Sequence, residues 1–338
     1  MTVRIGINGF GRIGRSYLRA ALASNADVEV VAVNDLTDAR TLATLLEWDS
    51  VSGHLDGVAP DGDAIAVQGS RMTVFAQPDP AAIPWGDVGA DVVIESTGLF
   101  TDGVAAAAHL EGGARKVVIS APAKGEVPTF VLGVNDDTLD PDRHDVFSNG
   151  SCTTNSLAPL AKVLNDAFGI ESGLMTTVHA YTGDQRLHDA PHSDVRRARA
   201  AAVSTIPTSS GAAKAIGKVI PELDGRLTGA SLRVPVPVGS ITDLTAVLRR
   251  RADAAEVNAA FREAAGSGPL RKYLQYSEAP LVSADIVGNP YSSIFDAPLT
   301  EAVGNQVKVF GWYDNEWAFS HRLVEFSERL GVAIDRRS

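Results

Sequence analysis

"VRIGINGFGRIGRSYLRAALA", residues 3–23, decides the architecture of the first domain. "VRIGI" is a short run of β-formers, the chain breaks at "NGFGRIGR", and Tyr17, Leu18, Ala21 and Leu22 then recur at helical spacing. Gly9, Gly11 and Gly14 stand in the pattern G-x-G-x-x-G, with Arg12 and Ile13 between the last two. Thirty-one glycines in 338 residues make a chance match easy, so the pattern gains weight only from its place between strand and helix. Twenty-one residues after Gly14, Asp35 closes the apolar run "VEVVAVND", 28–35. Such glycines permit a tight turn and let the backbone approach a pyrophosphate at the helix N-terminus. A carboxylate at Asp35 would bond a ribose diol and repel a 2′-phosphate, which favours NAD over NADP. The bland alternative is a strand-to-helix turn whose glycines are only structural.

Working outward, "DVVIESTG" (91–98) and "KVVIS" (116–120) are further apolar runs, and "DGVAAAAHLEGG" between them reads as a helix closed by glycines. Strands alternating with helices predict a parallel sheet covered on both faces, an α/β Rossmann-type dinucleotide-binding domain. Ser96, Thr97 and Ser120 fall at carboxyl ends of strands, where ligands of such sheets bind, although each alone could be a turn or cap residue. The second half differs. "GLMTTVHAYTGDQ" (173–185) reads as a longer strand ending at His179, and "SIFDAPLTEAVGNQVKVFGWYDNEW" is strand-like and aromatic. "LRVPVPVGSITDLTAVL" (232–248), with its two prolines, reads as a bent or edge strand before "ITDLTAVL". With helices such as "SGAAKAIGKVI" grouped apart, this predicts an α+β catalytic domain with a mainly antiparallel sheet. The expected division is 1–151 for the NAD-binding domain and 152–318 for the catalytic domain. A C-terminal helix over 319–338 is expected to pack back on the NAD-binding domain.

Composition narrows the function classes. Hydrophobic residues at 45% and charged residues at 21% are ordinary for a soluble globular protein. A net charge of -11 argues against nucleic acid as a partner, and "RRAR" at 196–199 is only a local basic cluster. No leader pattern is visible and no apolar run approaches the roughly 20 residues that span a bilayer, so a cytoplasmic protein without a membrane partner is expected. A single cysteine precludes an intramolecular disulfide and any metal site with two cysteine ligands, and no metal is expected.

That cysteine, Cys152, lies in "SNGSCTTNSLAPL" (148–160), just ahead of a helical run. Free N–H groups and the dipole at a helix N-terminus favour a thiolate, and a histidine alongside could act as base. Of seven histidines, His179 is the best candidate because it ends an apolar strand beside polar "AYTGDQ". A lone cysteine is otherwise a small buried hydrophobe, and residue logic leaves both readings open.

"INGFGRIGR", "ESTGLF", "SCTTN", "APLAKVL", "RRARAAA", "GAAKAIGKVIPEL" and "WYDNEW" together resemble phosphorylating glyceraldehyde-3-phosphate dehydrogenase, from residue 1 to about 330. The resemblance implies NAD as cofactor, a nucleophile at Cys152 and a base at His179. Oxidation would pass through a thiohemiacetal and a thioester that inorganic phosphate resolves, in glycolysis or gluconeogenesis. It places Asn315 at the nicotinamide carboxamide. It also places Thr182 and Arg233 at the phosphate of glyceraldehyde 3-phosphate, and Ser151, Thr153, Arg197, Ser210 and Gly211 at the attacking phosphate. A homotetramer is implied as well.

Several positions depart from that pattern. Pro78 stands where many members carry an arginine near the adenine, and Ala190 replaces a larger apolar residue in a segment that helps exclude NADP. Ser210 replaces threonine, Phe319 replaces tyrosine, Gly150 replaces alanine, and Ser156 stands where a second cysteine is common. Three other readings accompany the main one, and the fully furnished anion positions count against one of them, non-phosphorylating aldehyde oxidation. Erythrose-4-phosphate dehydrogenase shares the fold, thiol and histidine, but has less need for Arg197. A catalytically idle paralogue would keep the fold without the chemistry.

Overall fold

A computed structural model describes residues 2–335. They group into two units, one of residues 2–129, 140–149 and 320–335, the other of 130–139 and 150–319.

The first unit runs β1 (Val3–Asn8), α1 (Arg12–Ala23), β2 (Val28–Asn34), α2 (Ala39–Glu47), β3 (Trp48–Asp49), β4 (Gly53–His54), β5 (Val58–Asp61), β6 (Ala64–Val67), β7 (Ser70–Phe75), β8 (Val92–Glu95), α3 (Gly103–Glu111), β9 (Lys116–Ile119) and β10 (Val146–Ser148). Its sheet has the order β10-β9-β8-β1-β2-β7-β6-β5, and β3 pairs only with β4. The pairs from β10 to β7 are all parallel, while β5, β6 and β7 form an antiparallel meander at one edge. β8 and β9 are buried at every residue, as strands covered on both faces should be. This is a Rossmann-type sheet. Register aligns the last residues of three neighbouring strands, Asn34, Asn8 and Glu95, at one end. On α1 the inward face differs from the apolar spacing: Leu22 is exposed, whereas Arg19 is buried and its Nη2 donates to the carbonyls of Leu46 (2.6 Å) and Gly53 (2.8 Å).

In the second unit α4 (Cys152–Phe168), β11 (Ile170–Ala180), β12 (Ile206–Ser209), α5 (Ala212–Val219), β13 (Leu227–Val234), β14 (Ser240–Leu248), α6 (Ala254–Gly266), β15 (Leu274–Ser277), β16 (Ser293–Asp296), β17 (Glu301–Val303) and β18 (Gln306–Tyr313) follow in order. The sheet runs β12-β13-β11-β14-β18-β16-β15, with β17 on β18. Only β11–β13 and β15–β16 pair in parallel, so the sheet is mainly antiparallel. One face packs a core in which Leu157, Leu160 and Leu164 of α4, Ile216 of α5 and Phe261 of α6 meet Met175, Leu244 and Val309. β14 alternates buried and half-buried residues, as a strand with one covered face does.

One sequence expectation needs correction here. The proline-bearing segment is not an edge strand: β13 lies between β12 and β11, and β14 between β11 and β18. Pro235 and Pro237 fall in the link 235–239, where neither removes a ladder hydrogen bond. The two units interleave along the chain. Residues 130–139 group with the second unit, with Val131 in its core and Gly133 (φ +82°) where a Cβ would lie 2.5 Å from the Tyr273 ring.

The last helix, α7 (Trp317–Asp335), groups with the first unit from Ser320 onward. There Phe326 meets Phe147 edge-on, and Glu328 accepts from the Asp27 N–H at 3.0 Å. Residues 336–338 of the expected C-terminal helix lie outside the described residues.

Candidate active site

α4 opens at Cys152 because Ser151 caps it, accepting from the Thr154 N–H at 3.1 Å. β11 delivers His179 next to its last residue, and the imidazole Nε2 stands 3.4 Å from Cys152 Sγ. The other imidazole nitrogen, Nδ1, lies 2.7 Å from the Ala180 carbonyl, and in the tautomer that donates there Nε2 is free to accept a proton. Register on β13 sets Arg233 opposite His179, so its Nη1 lies 2.5 Å from Nδ1 and 3.2 Å from the same carbonyl.

Taken singly, neither reacting group ionises easily. Burial pushes the Cys152 thiol up, partly opposed by the Arg233 charge and by hydrogen bonds from Thr153. Burial and then the Arg233 charge push His179 down to about 3. Transfer of the proton from Sγ to Nε2 makes both charges together, each then stabilised by the other at 3.4 Å.

Around this pair sits a hydroxyl cluster. The Tyr313 hydroxyl lies 2.8 Å from both Thr153 Oγ1 and Thr177 Oγ1, and its ring meets His179 edge-on. Asn315 is buried, and its Oδ1 accepts from Gly239 N (3.1 Å) and Ser240 Oγ (2.9 Å), which leaves the amide N–H₂ as the free donor. Arg197 donates through Nε to Thr208 Oγ1 (2.8 Å) and through Nη1 to Asp184 Oδ2 (2.7 Å), and Asp194 Oδ2 stands 3.5 Å from Nε. Thr182 N donates to Gln185 Oε1 at 3.2 Å. Ser210 Oγ accepts from Ala212 N at 3.2 Å, and Gly211 is the residue before the first turn of α5.

The dinucleotide motif folds as three different glycines. Gly9 has φ +89°, and a Cβ there would lie 2.7 Å from Thr97 N. A Cβ on Gly14 would lie 2.4 Å from the Gly9 carbonyl oxygen. At Gly11 nothing lies within 4 Å of that position, so protein packing gives no reason for its bareness, whereas an approaching pyrophosphate does. Arg12 opens α1 and is ion-paired with Asp49, and Ile13 is half-buried beside it. Asp35 caps the turn, accepting from Phe10 N (3.0 Å) and Thr37 N (3.2 Å). Ser120 Oγ donates to the Glu95 carbonyl at 2.9 Å. Gly9, Gly11, Asp35, Pro78 and Thr97 line one cavity of about 310 Å³, and exposed Leu36 and Leu99 give it apolar sides. These features fit a dinucleotide.

Two family models match: "Glyceraldehyde 3-phosphate dehydrogenase, NAD binding domain" over residues 3–103 and the corresponding "C-terminal domain" over 151–315. The chain is 59% identical over 335 residues to glyceraldehyde-3-phosphate dehydrogenase 2 of Streptomyces arenae, covering 99% of this chain and 100% of that one. It is 58% identical over 341 residues to glyceraldehyde-3-phosphate dehydrogenase of Mycobacterium tuberculosis, and 56% over 342 to that of Mycolicibacterium smegmatis, with the same coverage. The chain belongs to the glyceraldehyde-3-phosphate dehydrogenase family.

Membership brings NAD as cofactor through the matched domain. Within this family chain the departures have physical settings. Gly150 takes φ +66°, a conformation that favours glycine, with Thr154 3.2 Å from where a Cβ would be. Ser156 is buried and its Oγ lies 3.1 Å from Thr242 Oγ1. Phe319 is buried. Ala190 N donates to the Ala198 carbonyl at 3.0 Å, a bond that any non-proline side chain permits.

Sequence reasoning missed Asp184, Thr208, Thr177 and Tyr313. Thr208 was recoverable: it shares the buried face of β12 with Ile206, by strand alternation. Asp184 lies two residues after Thr182 and Tyr313 two before Asn315, but nothing local says which side chain either would meet.

Proposed function

We propose that this chain catalyses the NAD-dependent phosphorylating oxidation of glyceraldehyde 3-phosphate to 1,3-bisphosphoglycerate. The approach of Sγ to Nε2 at a capped helix start carries the reading. Cys152 thiolate attacks the aldehyde carbon, and the His179 imidazolium protonates the carbonyl oxygen, giving a thiohemiacetal. Bound NAD supplies the hydride acceptor. Nε2 takes the hydroxyl proton back as the C–H electron pair leaves, and the carbon becomes a thioester. An oxygen of inorganic phosphate then adds to that carbon, the C–S bond breaks, and the acyl phosphate departs from a restored thiolate. A thioester conserves the oxidation energy that hydrolysis would lose.

The residues sort into roles on this reading. Thr182 and Arg233 take the substrate's phosphate. Ser151, Thr153, Arg197, Ser210 and Gly211 take the attacking phosphate, with Thr208 and Asp184 aligning the Arg197 guanidinium for bidentate binding. Asn315 offers its amide N–H₂ to the nicotinamide carboxamide. Gly9, Gly11, Arg12, Ile13, Gly14, Asp35, Thr97 and Ser120 form the cofactor-binding set. Residues 1–151 with the C-terminal helix then serve NAD and 152–318 the chemistry. The family resemblance supports a homotetramer, which light scattering tests. No helix among the described residues is long and apolar enough to cross a membrane, and we place the protein in the cytoplasm.

The test is NADH formation from glyceraldehyde 3-phosphate with and without inorganic phosphate, with NADP beside NAD. Strict phosphate dependence is expected. Turnover without phosphate would mean that water resolves the thioester, and erythrose 4-phosphate becomes the substrate to try. No turnover with either cofactor would overturn the proposal.

A further inference from the structure

Beneath the dinucleotide cavity runs a chain of buried side-chain hydrogen bonds that the catalytic steps above do not use. Trp85 Nε1 donates to His109 Nδ1 at 3.1 Å. An indole N–H can only donate, so His109 carries its proton on Nε2, which donates to Glu95 Oε2 at 3.0 Å. Asn8 Nδ2 donates to the same oxygen at 2.6 Å, while Asn8 Oδ1 accepts from Asn34 Nδ2 at 2.8 Å. Asn34 closes on the Gln77 backbone in both directions, accepting from its N–H at 2.8 Å and donating to its carbonyl at 2.9 Å. The other carboxylate oxygen, Glu95 Oε1, accepts from Thr97 N (2.8 Å) and Thr97 Oγ1 (2.5 Å), and Thr97 Oγ1 accepts from Leu99 N at 3.0 Å.

The topology explains the line. Asn34, Asn8 and Glu95 end three adjacent parallel strands in register, so their side chains meet on one level under the carboxyl edge of the sheet. His109 comes from α3 and is fully buried, as Glu95 nearly is. A carboxylate so buried must be met by donors, and here four meet it. The network ends on both walls of the cavity, at Gln77 on one side and at Thr97 and Leu99 on the other, and those three residues line it.

We propose that His109 and Glu95 are positioning residues for the dinucleotide: His109, held by Trp85, fixes Glu95, and Glu95 fixes the 96–99 wall against the Gly9 turn. The inference rests on NAD occupying that cavity. Gly9 leaves little slack, since a Cβ there would already meet Thr97 N, and Ser96 Oγ donates to the Gly9 carbonyl at 2.7 Å. Loss of the imidazole donor frees the Glu95 carboxylate to shift, and Thr97, bonded to it through N and Oγ1, would move with it.

The experiment is calorimetric titration of NAD into the full-length wild type and into His109→Leu, His109→Gln and Trp85→Phe, each checked for folding by circular dichroism. His109→Leu should weaken NAD about tenfold, the scale of one lost hydrogen bond to a buried charge. Gln can accept from Trp85 and donate to Glu95, so His109→Gln should restore affinity to within about threefold. KM for NAD should follow the dissociation constant, while kcat at saturating NAD and KM for phosphate stay at wild-type values. A folded His109→Leu protein that binds NAD as wild type does would overturn the inference, whatever its loss of thermal stability. Should His109→Leu fail to fold, Trp85→Phe decides: a two- to fivefold weakening supports the network, and unchanged affinity refutes it. Wild-type protein that binds no NAD would instead sink the cofactor reading itself.

Discussion

Replacing His179 by Asn tests the central pairing most directly. In the wild type, ionising Cys152 and His179 together sets opposite charges 3.4 Å apart. At an effective dielectric constant of about 20, that separation is worth about 5 kcal/mol, or between three and four decades in the thiol's acidity. Asn removes the partner charge but keeps a polar side chain. The thiol is then governed by burial, which pushes it up, against the Arg233 charge and the hydrogen bonds from Thr153. Reactivity falls by less than the thiolate fraction, because a more basic thiolate is more nucleophilic, with a Brønsted slope of about 0.4–0.5. Alkylation of Cys152 by iodoacetamide at pH 7 should therefore slow, by as much as about a hundredfold where the ion pair is the reacting form. Its pH profile should lose the neutral plateau and rise only in the alkaline range, where the two proteins converge. Since the chain has one cysteine, the assay reads that residue alone. A rate at pH 7 within threefold of wild type, in a variant with wild-type circular dichroism, would refute the argument that the imidazole sets the thiolate.

Three other outcomes follow from the same geometry. Gly14→Ala, whose Cβ meets the Gly9 carbonyl, should destabilise by about 1–3 kcal/mol in urea titration, whereas Gly11→Ala should cost under about 1 kcal/mol yet weaken NAD at least about tenfold; equal effects on stability would contradict the separate roles. Tyr313→Phe strands two buried threonine hydroxyls, so stability should fall by about 1–3 kcal/mol and KM for phosphate should rise, and an unchanged KM would count against Thr153 at that site. Asp49 is buried enough to raise its carboxyl, but hydrogen bonds from Ser52 and Val51 and the Arg12 charge win and hold it below the usual range. A carboxyl lowered on folding stabilises the protein above its unfolded value and loses that contribution as pH falls through the folded one. Asp49→Asn should thus be less stable than wild type at pH 7, with the difference closing below about pH 4 as followed by thermal melts.

Most of the first unit was legible because its signals are local. A buried parallel strand must be apolar throughout, a helix must repeat near every fourth residue, and a tight turn must carry glycine. "VRIGINGFGRIGRSYLRAALA" holds all three within 21 residues. What failed depended on partners distant in the chain. Proline argues for an edge strand only if it lies inside the strand, and whether Pro235 does so is set by where β13 leaves β11. Nothing in "FVLGVNDDTL" announces that Val131 joins a core built by α4, α5 and α6. Arg19 likewise reads as the polar side of α1, yet carbonyls of Leu46 and Gly53, supplied by α2 and β4, bring it inside.

The site shows the same division more sharply. Cys152 and His179 could be nominated from a helix start and a strand end, but their meeting depends on α4 and β11 converging, which no spacing encodes. Arg197 illustrates why the resting state of a site is harder still to read than its members. The Arg197 guanidinium is ion-paired with Asp184, with Asp194 close by, so in the proposed role phosphate would compete with those carboxylates. On the proposed reading that competition would keep the cation paired and would limit how tightly phosphate binds. Asp184→Asn should therefore lower KM for phosphate if alignment survives through Thr208, and raise it if the carboxylate is what aligns the arginine. Measuring that KM in Asp184→Asn and in Thr208→Val, alone and combined, separates the two contributions. Additive effects would mean that the two contacts act independently, whereas a double variant no worse than Thr208→Val alone would make the Arg197–Thr208 bond the one that orients the arginine.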